Sequence, residues 1–82
     1  MPTTDEQLRL LDALAAGRGR YAAMAYLTAD GAVTVYRGGR VETAFALQDV
    51  MACEDAGWVC RAKYSGRYRI TPAGRAKRQE ER

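Results

Sequence analysis

Histidine is missing altogether from these 82 residues, which removes the commonest general base. Cysteine is nearly as scarce, with Cys53 and Cys60 the only two. Two thiols cannot complete a four-ligand zinc site within one chain, and their spacing is not C-x-x-C. Both read as small core residues, Cys53 in a helix and Cys60 on the apolar face of a hairpin. No Gly-x-Ser-x-Gly, P-loop or paired-carboxylate arrangement occurs, so the chain offers no catalytic constellation and implies no cofactor. No apolar run approaches the roughly 18 residues of a membrane span. The start, Met-Pro-Thr-Thr-Asp-Glu, has neither a basic n-region nor an apolar h-region. No secretory signal is therefore expected, and a cytoplasmic location follows by default. Repeats, linkers and low-complexity stretches are also lacking, and the length suits one small domain with one modest core.

Charge is present and sharply segregated beneath a net +3. Residues 1–17 hold Asp5, Glu6 and Asp12 against Arg9, a balance of −2. Residues 18–40 hold Arg18, Arg20, Arg37 and Arg40 against Asp30, a balance of +3. Residues 41–60 carry Glu42, Asp49, Glu54 and Asp55 and no cation, a balance of −4. Residues 61–82 carry eight Lys/Arg against Glu80 and Glu81, a balance of +6. Such asymmetry makes a directional field.

Helical periodicity opens the chain. Thr3-x-x-Glu6 fits a capping box with Pro2 outside the helix, and Leu8, Leu11 and Ala15 recur at helical spacing beside Leu10 and Leu14. Gly17 is the natural stop, before Arg18-Gly19-Arg20. Residues 21–29 are rich in helix formers, yet Asp30-Gly31 is a hairpin turn signal. A strand over 22–28 is the reading adopted, with a short helix at 21–28 as its alternative. Ala32 to Arg37 alternates as a strand that Gly38-Gly39 ends. A helix is predicted from about Glu42 to Ala56, with Ala44, Leu47, Val50, Met51 and Cys53 on its apolar face and Phe45 beside it. Gly57 closes it, and Trp58 packs back on the core. Thr71-Pro72 is a cap with proline at the first helical position, opening a short basic helix over 72–80. Tyr68 belongs to the core, and Tyr21, Tyr26 and Tyr36 read as sheet-packing aromatics.

Between these last helices lies a hairpin whose pairing follows from alternation. A three-residue loop, Tyr64-Ser65-Gly66, pairs Lys63 with Arg67, Ala62 with Tyr68, Arg61 with Arg69 and Cys60 with Ile70. One face is then apolar, and the other carries Arg61, Lys63, Arg67 and Arg69. Like charges directly across a hairpin repel, so an anion outside the chain is the missing partner.

Cys53-Glu-Asp-Ala-Gly-Trp-Val, followed by Gly66-Arg-Tyr-Arg-Ile-Thr-Pro-Ala-Gly-Arg-Ala, resembles the end of a winged helix-turn-helix domain of bacterial and phage transcription regulators. The resemblance covers about residues 47–78. It implies an α+β, small winged-helix-like domain: N-terminal helix, central strand or hairpin, third helix, two-stranded wing at 58–71, short C-terminal helix. Two departures stand out. Residues 31–40, where the family carries its second helix, read as strand plus Gly38-Gly39. Helix 42–56 has no lysine or arginine, and Gln48 is its one good base reader, beside Asp49.

Two functions follow. In the first, a regulatory or accessory protein grips the phosphates of double-stranded DNA, with little sequence readout. Its contacts are Arg61, Lys63, Arg67 and Arg69 of the wing, with Tyr64 at the tip. Arg37 and Arg40 extend the patch if the central strand joins the same sheet, and Arg75, Lys77 and Arg78 touch phosphate from the last helix. Dimerisation through the N-terminal helix or a sheet edge is compatible with it. In the second, a winged-helix shape serves as adaptor or inhibitor for a charged protein partner, using the acidic helix and the basic wing. The acidic helix favours the second and the C-terminal charge the first, which is the reading adopted.

Overall fold

The computed structural model describes residues 4–17 and 22–81; the features expected at Pro2, Thr3 and 18–21 lie outside them. The elements run α1 (Asp5–Ala15), β1 (Met24–Leu27), β2 (Ala32–Arg37), β3 (Arg40–Ala46), α2 (Leu47–Asp55), β4 (Val59–Arg61), β5 (Tyr68–Ile70) and α3 (Pro72–Glu80). The strands form one antiparallel sheet in the order β3-β2-β1-β5-β4. This is an α+β domain running helix, central strands, helix, two-stranded wing and short last helix, with a third central strand, β3, beyond the expected strand or hairpin. Among the described residues no helix is long and apolar enough to cross a membrane.

Sequence dictates most of the boundaries. Thr4 accepts from the Gln7 N–H while the Gln7 side chain accepts from the Thr4 N–H. That is a capping box one residue later than Thr3 and Glu6 would make it. Of residues 22–28, Met24–Leu27 form a strand rather than the alternative helix, and Thr28-Asp30-Gly31 turns the chain into β2, with Gly31 at φ 82°. Asp30 accepts from the Thr28 hydroxyl and the Ala32 N–H, which hold its carboxyl below the usual range. Gly38 and Gly39, at φ 60° and 79°, make the tight turn into β3.

The helix expected from Glu42 begins only at Leu47. Residues 40–46 instead pair along β2, from Arg37 opposite Arg40 to Ala32 opposite Ala46, with a bulge beside Val35 and Tyr36. Glu42, Ala44 and Ala46 are good helix formers, but the chain leaving the two-glycine turn runs back alongside β2, whose open edge needs a partner, and pairing overrides propensity. Phe45 is consequently buried from a strand and Ala44 is exposed. In α2 only Val50 and Cys53 are buried, and Met51 is 49% exposed.

The three helices pack on one face of the sheet. Leu10, Leu11 and Leu14 of α1 and Val50 and Cys53 of α2 share a core with Ala25, Val33, Val35, Phe45, Val59 and Tyr68 from the strands. Among the described residues no helix covers the opposite face of the sheet. Gly57, at φ 82°, ends α2 with the Gly57 N–H on the Glu54 carbonyl and the Trp58 N–H on the Cys53 carbonyl. This paired cap delivers Trp58 to the core edge, as expected.

The wing register differs from the alternation argument by one residue. Val59 lies opposite Ile70, Cys60 opposite Arg69 and Arg61 opposite Tyr68. The loop therefore has four residues, Lys63 to Gly66, closed by the Ala62 N–H on the Arg67 carbonyl at 2.8 Å. Gly66 still takes the left-handed position, at φ 70°. Burial decides the register: the helix cap fixes the start of β4, and Val59 brings more apolar surface inward than Cys60. Cys60, expected in the core, is exposed.

Candidate functional site

The one-residue shift divides the four expected wing cations. Arg61 shares the helix-side face with Val59 and Tyr68, and its guanidinium lies 5.6 Å from the centroid of the Tyr68 ring, as a snorkelling edge residue would. Lys63 sits in the turn, with Tyr64 beside it 97% exposed. Arg67 and Arg69 belong to the other, open face. Charge is thus spread around the wing rather than gathered on one side.

The flanking cations divide further. Arg37 and Arg40 do join the same sheet, but β2 and β5 both run antiparallel to β1 and hence in one direction. Gly38-Gly39 follows the end of β2, while the wing turn precedes the start of β5. The two turns lie at opposite ends of the sheet, so Arg37 and Arg40 do not extend the wing tip. Arg37 also bonds Glu42 at 2.9 Å, whereas Arg40 is exposed.

On α3, Lys77 lies 5.4 Å from the centroid of the Trp58 ring and pairs with Glu81 at 2.9 Å; that hydrogen bond raises its pKa. Arg78 donates to Asp12 of α1 at 2.6 Å, clamping two helices. Both cations hold the fold. Lys77–Glu81, four residues apart, was legible as a helical pair. Arg78–Asp12, 66 residues apart, had no local signal.

What the structure brings together is Arg67, Arg69 and Arg75. They border a cleft of about 170 Å³ at the seam of β1 and β5, whose pairing is Ala25 with Tyr68. Leu14 and Arg75 reach it from the helix side and Arg67 and Arg69 from the open face, and no acid among the described residues lines it. None of the three makes an ion pair with a described residue. Thr71 places Arg75: its hydroxyl accepts from the Gly74 N–H at 3.0 Å and opens α3. Arg67 is half-buried, and its Nη2 donates to the Ala23 carbonyl at 3.0 Å. Its Nε is buried without a partner among the described residues. A half-buried guanidinium that meets only a neutral carbonyl still has its charge uncompensated by any described carboxylate. Sequence reasoning missed this carbonyl, because nothing in Ala22-Ala23 marks it.

Cys53 is buried, and desolvation together with nearby Asp49 pushes its thiol up to about 11, which makes it inert as a nucleophile. Among the described residues no three His, Cys, Asp or Glu side chains gather as a metal site. Compared with protein-family models, with curated proteins and with solved structures, the chain matches none of them.

Proposed function

We propose that this chain is a non-enzymatic nucleic-acid-binding protein of winged-helix kind. It grips phosphates with Arg67, Arg69 and Arg75 at the base of the wing and with Lys63 and Tyr64 at its tip. The observation carrying the reading is Arg67, a half-buried cation in an acid-free cleft, with Nε unpaired and two further arginines beside it. Phosphate supplies the charge and the acceptor oxygens that these three side chains lack. Arg61 and Arg40 add exposed charge, while Arg37, Lys77 and Arg78 act through the fold. Helix α2 presents Asp49, Glu54 and Asp55 without a cation. It is unsuited to a major groove, so affinity comes with little base readout.

The acidic surface of α2 also supports a second reading, a protein partner with a basic face docking there. A second copy of the chain would meet the first along the outer edge of β3, where Val41 is 65% exposed. The primary reading is tested by anisotropy with fluorescent nucleic acid at low and near-physiological salt. Binding that weakens steeply with salt supports it; no binding at low salt transfers the function to the protein partner.

A further inference from the structure

The helix-free face of the sheet carries its own chemistry. Register and alternation put Met24 and Tyr26 of β1 on it, beside Tyr36 and Thr34 of β2. Tyr26 and Tyr36 are diagonal neighbours with ring centroids 6.4 Å apart and planes tilted by 58°. Both rings are half-buried although no helix covers them, and Met24 is 39% exposed. Thr34, beneath them, is buried. Ala25 pairs with Tyr68 on the inner side, so Arg67 and Arg69 rise on the open face one strand away from Met24 and Tyr26. Neighbouring strands are about 4.8 Å apart, which spaces the rings and guanidiniums about 5–10 Å from one another. Glu42 of β3 is occupied by Arg37.

From this juxtaposition we infer that the open face is a stacking platform for single-stranded nucleic acid. Bases lie on Tyr26 and Tyr36, and the backbone runs along Arg67 and Arg69. Duplex bases are already stacked and show a protein only their edges, so half-buried rings on a sheet surface have no base face to meet there. Unpaired bases offer faces, and arginines beside aromatic rings are the arrangement that holds them. A protein ligand of equal charge would use the arginines but not the rings. The inference rests on the nucleic-acid reading and narrows its substrate to unpaired strands.

The test uses the whole chain and three fluorescent probes of equal length: oligo-dT, an abasic strand and a duplex. The expected order is oligo-dT tightest, with the abasic strand weaker by about ten-fold or more. Tyr26→Leu and Tyr36→Leu keep an apolar cover on Thr34 while removing the π faces. Each should weaken oligo-dT by about five- to ten-fold and leave the abasic strand unchanged. Circular dichroism melting confirms that the variants are folded. Equal affinity for oligo-dT and the abasic strand, or no effect of either leucine, overturns the platform and leaves phosphate gripping intact. Failure of all three probes to bind overturns both.

Discussion

Arg61 stands directly opposite Tyr68 across the wing, and its guanidinium lies over the face of that ring. This one pairing fixes the register of the hairpin. It sets Arg61 on the helix-side face, apart from Arg67 and Arg69. It also seals the core edge, because Tyr68 is only 3% exposed beneath it.

Truncating Tyr68 to alanine removes a buried aromatic and should cost about 3–5 kcal/mol, read by denaturant melting. Arg61→Ala removes only an exposed cation–π contact and should cost roughly 0.5–1 kcal/mol. Similar losses for both would mean that Tyr68 is not the seal of the core.

The register has its own chemical test. Cys60 lies opposite Arg69, so Arg69→Cys places two thiols across the hairpin. Directly opposed antiparallel positions have Cα separations of about 4.5–5.5 Å, within reach of a disulfide. Mild oxidation of that variant should give an intramolecular bridge, seen as a loss of free thiol without dimer. Ile70→Cys should not bridge to Cys60; a bridge there instead would restore the alternation register.

The elements legible in the sequence were those whose signals are local. Gly57 with Trp58 gave the helix stop, Asp30-Gly31 and Gly38-Gly39 the turns, and Thr71-Pro72 the start of α3. Residues 42–46 were misread because a helix preference was weighed without the partner that β2 required. The wing slipped by one because alternation treats Cys60 and Val59 as equally good core residues, and only burial separates them. The candidate site was legible as charge but not as geometry. Arg67, Arg69 and Arg75 are visible in the chain, whereas their meeting with the Ala23 carbonyl depends on β5 pairing beside β1.

Gly74 is a spacer that no charge or pattern argument assigns. A Cβ there would lie 2.1 Å from the Trp58 carbonyl oxygen and 2.8 Å from Ile70. Gly74→Ala should therefore destabilise by about 3 kcal/mol or more despite alanine's better helix propensity. An unchanged melting temperature would contradict the close approach of α3 to Trp58.

The two thiols should behave differently. Cys60 is exposed and should react quickly with a disulfide reagent, whereas Cys53 should react only at the rate of unfolding. The thiol of Cys53 is raised in the fold from its ordinary 9.0 to about 11. Its neutral form is favoured by folding, so that contribution is complete below pH 9 and is lost as pH rises through about 11. Cys53→Ala should flatten the fall in stability over that alkaline window, as measured by urea titration at several pH values.

The most direct measurement concerns the acid-free cleft. Wild type and the Arg69→Glu/Arg75→Glu double variant would be titrated into a fluorescent single strand across a range of salt. Both substituted side chains are exposed, so the variant should fold and melt as wild type does. Each phosphate contact contributes a salt slope of about −0.7 on a single strand, so three arginines together should give about −2. The variant keeps Arg67 and the tip Lys63, so it should bind about ten- to a hundred-fold more weakly, with a slope shallower by about 1.4, the share of two contacts. Unchanged affinity and slope in a folded variant would mean that Arg67, Arg69 and Arg75 do not form the phosphate grip.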